Sequence, residues 1–291
     1  MNIPAPEIFK AYDIRGIVGK TLTPEAVRAI GQALGSEAAA RKQKTIAVGR
    51  DGRLSGPQLA AALAEGINAA GIDVLDIGCV PTPLAYFAAY QLGTNSAVSV
   101  TGSHNPPDYN GLKMVLGGET LYGEQIQALR RRIETGDVVH AKRPGKLRHA
   151  DVRKAYLERI VGDVKLTRKM KIVVDCGNGV AGELAPELFR RMGCEVIPLF
   201  CEIDGNFPNH HPDPSKPENL RDVIRTLKET DAELGLAFDG DGDRLGVVTR
   251  EGNNIFPDRQ IMLFARDVLT RVPGGQIIYD VKCSQQLAVA V

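Results

Sequence analysis

Leu234-Gly-Leu-Ala-Phe238, Asp239-Gly-Asp-Gly-Asp-Arg244 and Leu245-Gly-Val-Val248 follow one another without a gap, and this stretch decides how the chain is read. Short apolar runs on either side of a glycine-rich polar turn read as two buried strands. The acidic turn therefore sits on a loop at a strand end. Carboxylates at i, i+2 and i+4 repel one another, and oxygen ligands at that density suit a hard divalent cation such as Mg²⁺. The intervening glycines admit positive φ and let the backbone wrap around an ion. An EF-hand loop also opens Asp-x-Asp-x-Asp, but it requires Gly at its sixth position and Glu at its twelfth, where this chain has Arg244 and Arg250. A solvated acidic turn is the plain alternative, and the apolar strands on both sides argue against it.

A second loop has the same placement. Ala97-Val-Ser-Val-Thr101 reads as a strand, followed by Gly102-Ser103-His104-Asn105-Pro106-Pro107. Asn110-Gly111 is expected to form a tight turn, and Leu112-Lys113-Met114-Val115-Leu116 returns as a strand. Alternation puts Leu112, Met114 and Leu116 on one face and Lys113 on the other. A serine after glycine, with His104 adjacent and Lys113 on the returning strand, suits a nucleophilic hydroxyl with acid/base help. It is not a nucleophile elbow, because Asn105 stands where that motif has Gly. Taken alone, such a serine is more often bonded to its own turn, and such a histidine more often a satisfied loop residue.

Outward from these loops, strand and helix alternate. Strands are expected at 45–49, 73–77, 97–101, 171–176 and 195–200, with helices at 57–70, about 180–192 and 218–229. This is an α/β pattern in which helices cover the sheets. Ile46-Ala-Val-Gly-Arg-Asp-Gly52, Ile172-Val-Val-Asp-Cys-Gly-Asn178 and Ile277-Ile-Tyr-Asp-Val-Lys-Cys283 form a weak internal repeat, each running from an apolar strand through a polar turn into a helix. The charged segment from about Asp137 to Ala150, with Pro144-Gly145, reads as a linker. A second boundary is expected near Arg250–Asn254. Domains are thus expected at 1–147 and 148–250, with 251–291 opening a third. Asp204 to Ser215 is a Pro-rich loop. Its adjacent His210 and His211 point in different directions and lack metal-ligand spacing, so structure or a cleft edge is expected there.

The 291 residues, 43% apolar and 24% charged, are those of an ordinary globular chain. A net charge of +1 argues against a general nucleic-acid or membrane-surface role. The basic stretches Arg130–Arg132, Lys142–Arg148 and Lys165–Lys171 carry no interleaved aromatics and read as a helix end and linker. The five cysteines (Cys79, Cys176, Cys194, Cys201, Cys283) include no Cys-x-x-Cys pair and suggest reduced thiols. The start lacks the pattern of a signal peptide and no apolar run would span a bilayer, so a cytoplasmic location is expected.

Lys10-Ala-Tyr-Asp-Ile-Arg-Gly16, Thr101-Gly-Ser-His-Asn-Pro-Pro-Asp-Tyr-Asn-Gly-Leu-Lys113 and Asp239-Gly-Asp-Gly-Asp-Arg244 together resemble the α-D-phosphohexomutases, and most of all the bacterial phosphomannomutase/phosphoglucomutase group. The resemblance runs along the whole chain in order. It implies repeated three-layer α/β/α domains with mixed sheets. It also implies interconversion of hexose 1-phosphate and hexose 6-phosphate, of mannose and glucose, through a phosphoserine and a bisphosphorylated sugar. Ser103 would be the phosphoserine; Asp239, Asp241 and Asp243 would hold Mg²⁺, with an oxygen of phosphorylated Ser103 completing the set. Lys113 would be the general acid/base, with Tyr12, Arg15, His104 and Arg244 around the phosphate and sugar hydroxyls. The Thr101-Gly-Ser form leans away from phosphoglucosamine mutases, which generally read Ser-Ala-Ser there. The family has four domains, so by resemblance the chain stops before the sugar-recognition and phosphate-binding loops, and poor mutase turnover is expected of it alone. No oligomer is implied.

The strongest competing signal is Gly177-Asn-Gly-Val-Ala-Gly182, which follows an expected strand, opens an expected helix and has Glu202 about 20 residues beyond it. That is the context of a dinucleotide fingerprint, and it makes an NAD-dependent dehydrogenase the alternative enzyme. Asp175 would bring an anion close to the pyrophosphate, and the Ser103 and Asp239 loops would be left without a role. A non-catalytic Mg²⁺ or sugar-phosphate binding fragment is the third reading.

Overall fold

The computed structural model describes residues 3–291. The first half of the chain runs β1 (Ile14–Ile17), α1 (Pro24–Ala40), β2 (Thr45–Arg50), α2 (Gly56–Ala69), β3 (Asp73–Cys79), α3 (Thr82–Gln91), β4 (Ala97–Val100), β5 (Tyr109–Leu116), β6 (Glu119–Thr120), α4 (Glu124–Thr135) and β7 (Leu147–His149). Helix α1 starts where Thr23 accepts a hydrogen bond from the Ala26 N–H and Pro24 takes the first turn. The strands lie in the order β1-β5-β4-β2-β3-β7, with β6 on β5. β4, β2, β3 and β7 are parallel, and β5 and β1 join antiparallel. Alternation along β2 divides the core. Ile46 and Val48 pack with Val27, Ile30, Leu63 and Ile67 of α1 and α2, while Ala47 packs with Leu84, Ala85 and Ala88 of α3 on the other face.

The second half repeats the plan with α5 (Arg153–Asp163), β8 (Lys171–Asp175), α6 (Ala185–Arg191), β9 (Glu195–Leu199), α7 (Arg221–Glu229), β10 (Leu234–Phe238), β11 (Leu245–Thr249) and β12 (Asn254–Ile255). Its sheet order is β12-β11-β10-β8-β9, parallel through β10, β8 and β9 and antiparallel beyond. Val173 and Ala237 pack with Val223 and Leu227 of α7, whereas Ile172, Val174 and Leu236 pack with Ala185 of α6. The architecture is repeated α/β/α layering with mixed sheets. Helices α8 (Pro257–Arg271) and α9 (Gln286–Ala290) follow. No helix among the described residues is long and apolar enough to cross a membrane.

Several sequence expectations are corrected here. Asn110-Gly111 is no turn: both residues lie inside β5, opposite Gly16 and Arg15. Gly111 is needed because a Cβ would strike the Ile14 carbonyl of the neighbouring strand. The segment 137–150 contributes an edge strand, β7, whose three residues are all exposed and so show no alternation. The helix expected at 180–192 is a 3₁₀ turn at Val180–Glu183 followed by α6, because Pro186 lacks the N–H a continuous helix would use. Ile277-Ile-Tyr279 is not a strand. It pairs with nothing among the described residues, and Ile278 is 90% exposed.

In each sheet the chain leaves one strand, forms a neighbour on one side, then returns on the other: β2 lies between β3 and β4, and β8 between β9 and β10. Crevices open outside the carboxyl ends of strands at such switch points. Asp51 and Thr101 flank the first, Gly177 and Asp239 the second.

Candidate active site

The two crevices meet. Ser103 Oγ donates to Asp239 Oδ2 at 3.1 Å and lies 3.2 Å from His104 Nδ1. Ser103 and Asp239 are both buried, and Ser103 takes φ +50°, a conformation disfavoured by a Cβ. The approach depends on Gly240, where any Cβ would collide with the Ser103 carbonyl oxygen.

The acidic loop is wound around its own first carboxylate. Asp239 Oδ1 accepts the N–H groups of Asp243 and Arg244, each at 3.0 Å, and Gly242 at φ +71° makes the turn. Oxygens of Asp239, Asp241 and Asp243 then lie within 4.8 Å of one another. Asp241 Oδ2 accepts from the Thr82 hydroxyl (2.5 Å) and from Lys113 Nζ (2.7 Å), and Lys113 also reaches Asp243 Oδ2 (2.5 Å). Asp241 Oδ1 is buried with no partner. A buried carboxylate oxygen left unpaired within an all-oxygen cluster is costly, and a hard cation satisfies it. The residues present therefore fit Mg²⁺.

Electrostatics divides the cluster. Burial, then repulsion from Asp241 and Asp243, raises the Asp239 carboxyl far above its ordinary value. Burial would raise Asp241 too, but Lys113 and the Thr82 hydroxyl outweigh it and hold Asp241 low. Burial opposes the Lys113 charge, yet Asp241 and Asp243 outweigh that and raise its pKa. Burial and the nearby Arg244 charge lower His104, so its ring is neutral near pH 7. Arg244 Nη1 is 3.5 Å from His104 Nε2. Assigned from this network, Nε2 accepts and the ring proton sits on Nδ1, facing Ser103 Oγ. With that tautomer His104 cannot take the Ser103 proton, and Asp239 Oδ2 accepts it only while the carboxylate is ionised.

Seven of the expected site residues thus converge: Ser103, His104, Lys113, Asp239, Asp241, Asp243 and Arg244. Arg15 lies on β1 opposite Gly111, ion-paired to Asp13 at 2.5 Å, with its charge felt at His104. Tyr12 is 79% exposed at the turn before β1 and makes no hydrogen bond to the cluster. His211 Nε2 donates to the His104 carbonyl (2.5 Å), and His210 pairs with buried Asp175 (3.0 Å). Both histidines brace the crevice edge.

The glycine loop offers no cradle for a pyrophosphate. The Gly177 N–H donates to Asp175 Oδ1, Asn178 to the Phe200 carbonyl, Gly179 to Cys176, Val180 to Gly240 and Gly182 to Gly179. Five of its six backbone donors are spent inside the protein, and the Val180 bond ties the loop to the acidic turn.

Two family profiles match in order. The alpha/beta/alpha domain I of phosphoglucomutase/phosphomannomutase covers residues 6–139, and domain II of the same proteins covers 154–252. The chain belongs to the α-D-phosphohexomutase family. Among its members, a phosphomannomutase/phosphoglucomutase of Pseudomonas putida is 58% identical over 280 residues, 96% of this chain and 60% of that protein. A phosphoglucomutase of Neisseria gonorrhoeae is 58% identical over 97% of this chain and 61% of its own length. The crystal structure of a phosphoglucomutase/phosphomannomutase family protein from Burkholderia thailandensis superposes with a TM-score of 0.95 at 59% identity, covering 99% of this chain and 64% of that one. The chain thus spans about 60% of the length of the curated phosphohexomutases it matches.

Sequence reading missed Thr82 and Asp51, which hold the two loops from outside. Thr82, at the start of α3, gives its N–H to the Asp241 carbonyl (2.9 Å) as well as its hydroxyl to the carboxylate. Nothing in Pro81-Thr82-Pro83 announces a partner so distant in the chain. Buried Asp51 accepts the Thr101 hydroxyl (2.7 Å) and the Gly102 N–H (3.2 Å). Its signal was present, since the repeat Ile46–Gly52 is a polar turn at a parallel strand's carboxyl end.

Proposed function

We propose that this chain carries the phosphoryl-transfer machinery of an enzyme that interconverts hexose 1-phosphate and hexose 6-phosphate, of mannose and of glucose. The observation that carries the reading is the 3.1 Å contact between Ser103 Oγ and Asp239 Oδ2. It sets a hydroxyl nucleophile from one sheet against a carboxylate cluster from the other. Phosphorylated Ser103 gives its phosphoryl group to the free hydroxyl of the bound hexose phosphate: the P–Oγ bond breaks as the bond to the sugar oxygen forms, and the hydroxyl loses its proton. The bisphosphorylated sugar turns over, and its other phosphoryl group returns to Ser103 Oγ.

Charge on the peripheral oxygens of the transferring group is offset by Arg15, Lys113 and Arg244. Lys113, its proton held by Asp241 and Asp243, acts as the general acid at the sugar oxygen; those carboxylates, once holding a cation, would grip that proton less, and Lys113 would then serve as the base that takes the sugar hydroxyl's proton. His104 orients Ser103 Oγ through Nδ1–H, and Tyr12 contributes to the substrate rim. Asp239, Asp241 and Asp243, with an oxygen of phosphorylated Ser103, would hold Mg²⁺, which supplies further charge stabilisation there. The division into 1–147 with the serine loop, 148–250 with the metal loop and a third unit from 251 belongs to the same proposal.

Phosphorus NMR tests the reading. The chain is given Mg²⁺, α-D-glucose 1-phosphate or its mannose counterpart, and a trace of bisphosphate. Growth of the 6-phosphate resonance that is lost in Ser103→Ala supports it. Binding without interconversion points instead to the non-catalytic module, and full interconversion by Ser103→Ala would overturn the role of the serine.

A further inference from the structure

Arg53 heads the fully buried side chains by volume among the described residues, and its guanidinium has no exposure at all. A guanidinium carries five N–H donors in a rigid fork. Here all are used. Nε faces Asp51 Oδ2 (3.3 Å), Nη1 donates to the carbonyls of Pro106 (2.5 Å) and Tyr109 (2.9 Å), and Nη2 donates to those of Ser103 (2.8 Å) and Asn105 (2.6 Å). Three of the five therefore grip the loop that carries Ser103, and a fourth holds Tyr109, where that loop enters β5.

Asp51 completes the grip from the other side. It accepts the Arg53 N–H (3.0 Å), the Gly102 N–H and the Thr101 hydroxyl, and that same hydroxyl oxygen accepts the Ser103 N–H at 2.7 Å. Ser103 thus has its amide pinned through Thr101 and its carbonyl pinned by Arg53. Its φ of +50° is a conformation that persists only where the surroundings over-determine it. The remaining face of the guanidinium is covered by the Phe207 ring, 5.3 Å from Cζ, which comes from the Pro-rich loop of the second sheet's half of the chain.

We propose that Arg53, balanced by Asp51 and roofed by Phe207, is a positioning residue that sets the direction from which Ser103 Oγ meets the phosphoryl group. The proposal rests on the reading of Ser103 as phosphoryl carrier. Acting through the serine, Arg53 touches neither sugar nor phosphate, so its loss should misdirect transfer while leaving substrate binding largely intact. Lysine keeps the charge but, with a single ammonium, cannot span the four carbonyls.

The test compares the full chain with Arg53→Lys and the milder Phe207→Leu. Phosphate uptake on Ser103 from α-D-glucose 1,6-bisphosphate with Mg²⁺ is followed by rapid-quench mass spectrometry, and amide exchange is followed over residues 101–109. In Arg53→Lys the maximal transfer rate should fall about 100-fold and the half-saturating bisphosphate should move less than about threefold, as expected of misplaced reacting atoms. Exchange should quicken in 101–109 and not at 239–244. Phe207→Leu should move rate and exchange in the same direction by less, and it decides the matter should Arg53→Lys fail to fold. A folded Arg53→Lys chain with near wild-type transfer, or with exchange unchanged in 101–109, would overturn the proposal. Absence of phosphate uptake by the wild-type chain would remove the carrier reading itself, and the exchange comparison would still decide whether Arg53 holds the loop.

Discussion

Asp239 has one carboxylate oxygen committed to two N–H groups of its own loop and the other to Ser103, whereas Asp241 keeps one buried oxygen with no partner at all. A cation entering the cluster therefore gains most at Asp241. Asp241→Asn should weaken Mg²⁺ binding in a calorimetric titration, and an affinity unchanged in the Asn variants of Asp239, Asp241 and Asp243 alike would count against the metal assignment. The Asp175–His210 pair yields a pH dependence at the same scale. Burial opposes the His210 charge, but the Asp175 hydrogen bond and charge and the His211 carbonyl outweigh it and raise the pKa. A raised histidine stabilises the fold fully below its unfolded pKa of about 6.5, and that stability is lost as pH climbs through the folded value. Denaturant unfolding should show this decline in the wild type and a flatter profile in His210→Gln. Equal slopes would place the proton elsewhere.

Among the elements, the strand-to-helix turn at Gly177 carries the sharpest contrast between motif and structure. With its N–H groups bonded to Asp175, Phe200, Cys176, Gly240 and Gly179, it should leave NADH fluorescence unchanged on mixing. Saturable binding would revive the dinucleotide reading. The acidic loop was legible in the sequence because its three carboxylates lie within five residues and its flanking strands are apolar. The same holds for β5, where Leu112, Met114 and Leu116 are buried and Lys113 is turned away, as alternation requires. Asn110-Gly111 misled because the turn signal is local, while the demand for glycine comes from the Ile14 carbonyl on another strand. Strand β7 was invisible because it is held by backbone pairing to β3 and buries no side chain. Thr82 was missed because its partner Asp241 lies far along the chain, and Arg53 because, its local pairing with Asp51 apart, the carbonyls it holds lie far along the chain too.

At the scale of the whole molecule, the site exists only where the two sheets' crevices face each other. Thr82 joins them, with Ser99 Oγ 2.8 Å from its hydroxyl on one side and Asp241 on the other. Removing that hydroxyl in Thr82→Val should weaken Mg²⁺ binding about 10- to 100-fold, the usual cost of losing a ligand's outer partner. Full affinity in this variant would mean that the first sheet does not orient the metal loop. Whether serine loop and acidic loop form one phosphoryl-transfer site is decided by phosphopeptide mapping of the chain after exposure to α-D-glucose 1,6-bisphosphate, with and without Mg²⁺, in the wild type and in Asp241→Asn. The expected result is phosphate on the Ser103 peptide alone, dependent on Mg²⁺ and sharply reduced in Asp241→Asn. Phosphate on another residue, or Ser103 labelling indifferent to both the metal and Asp241, would contradict it.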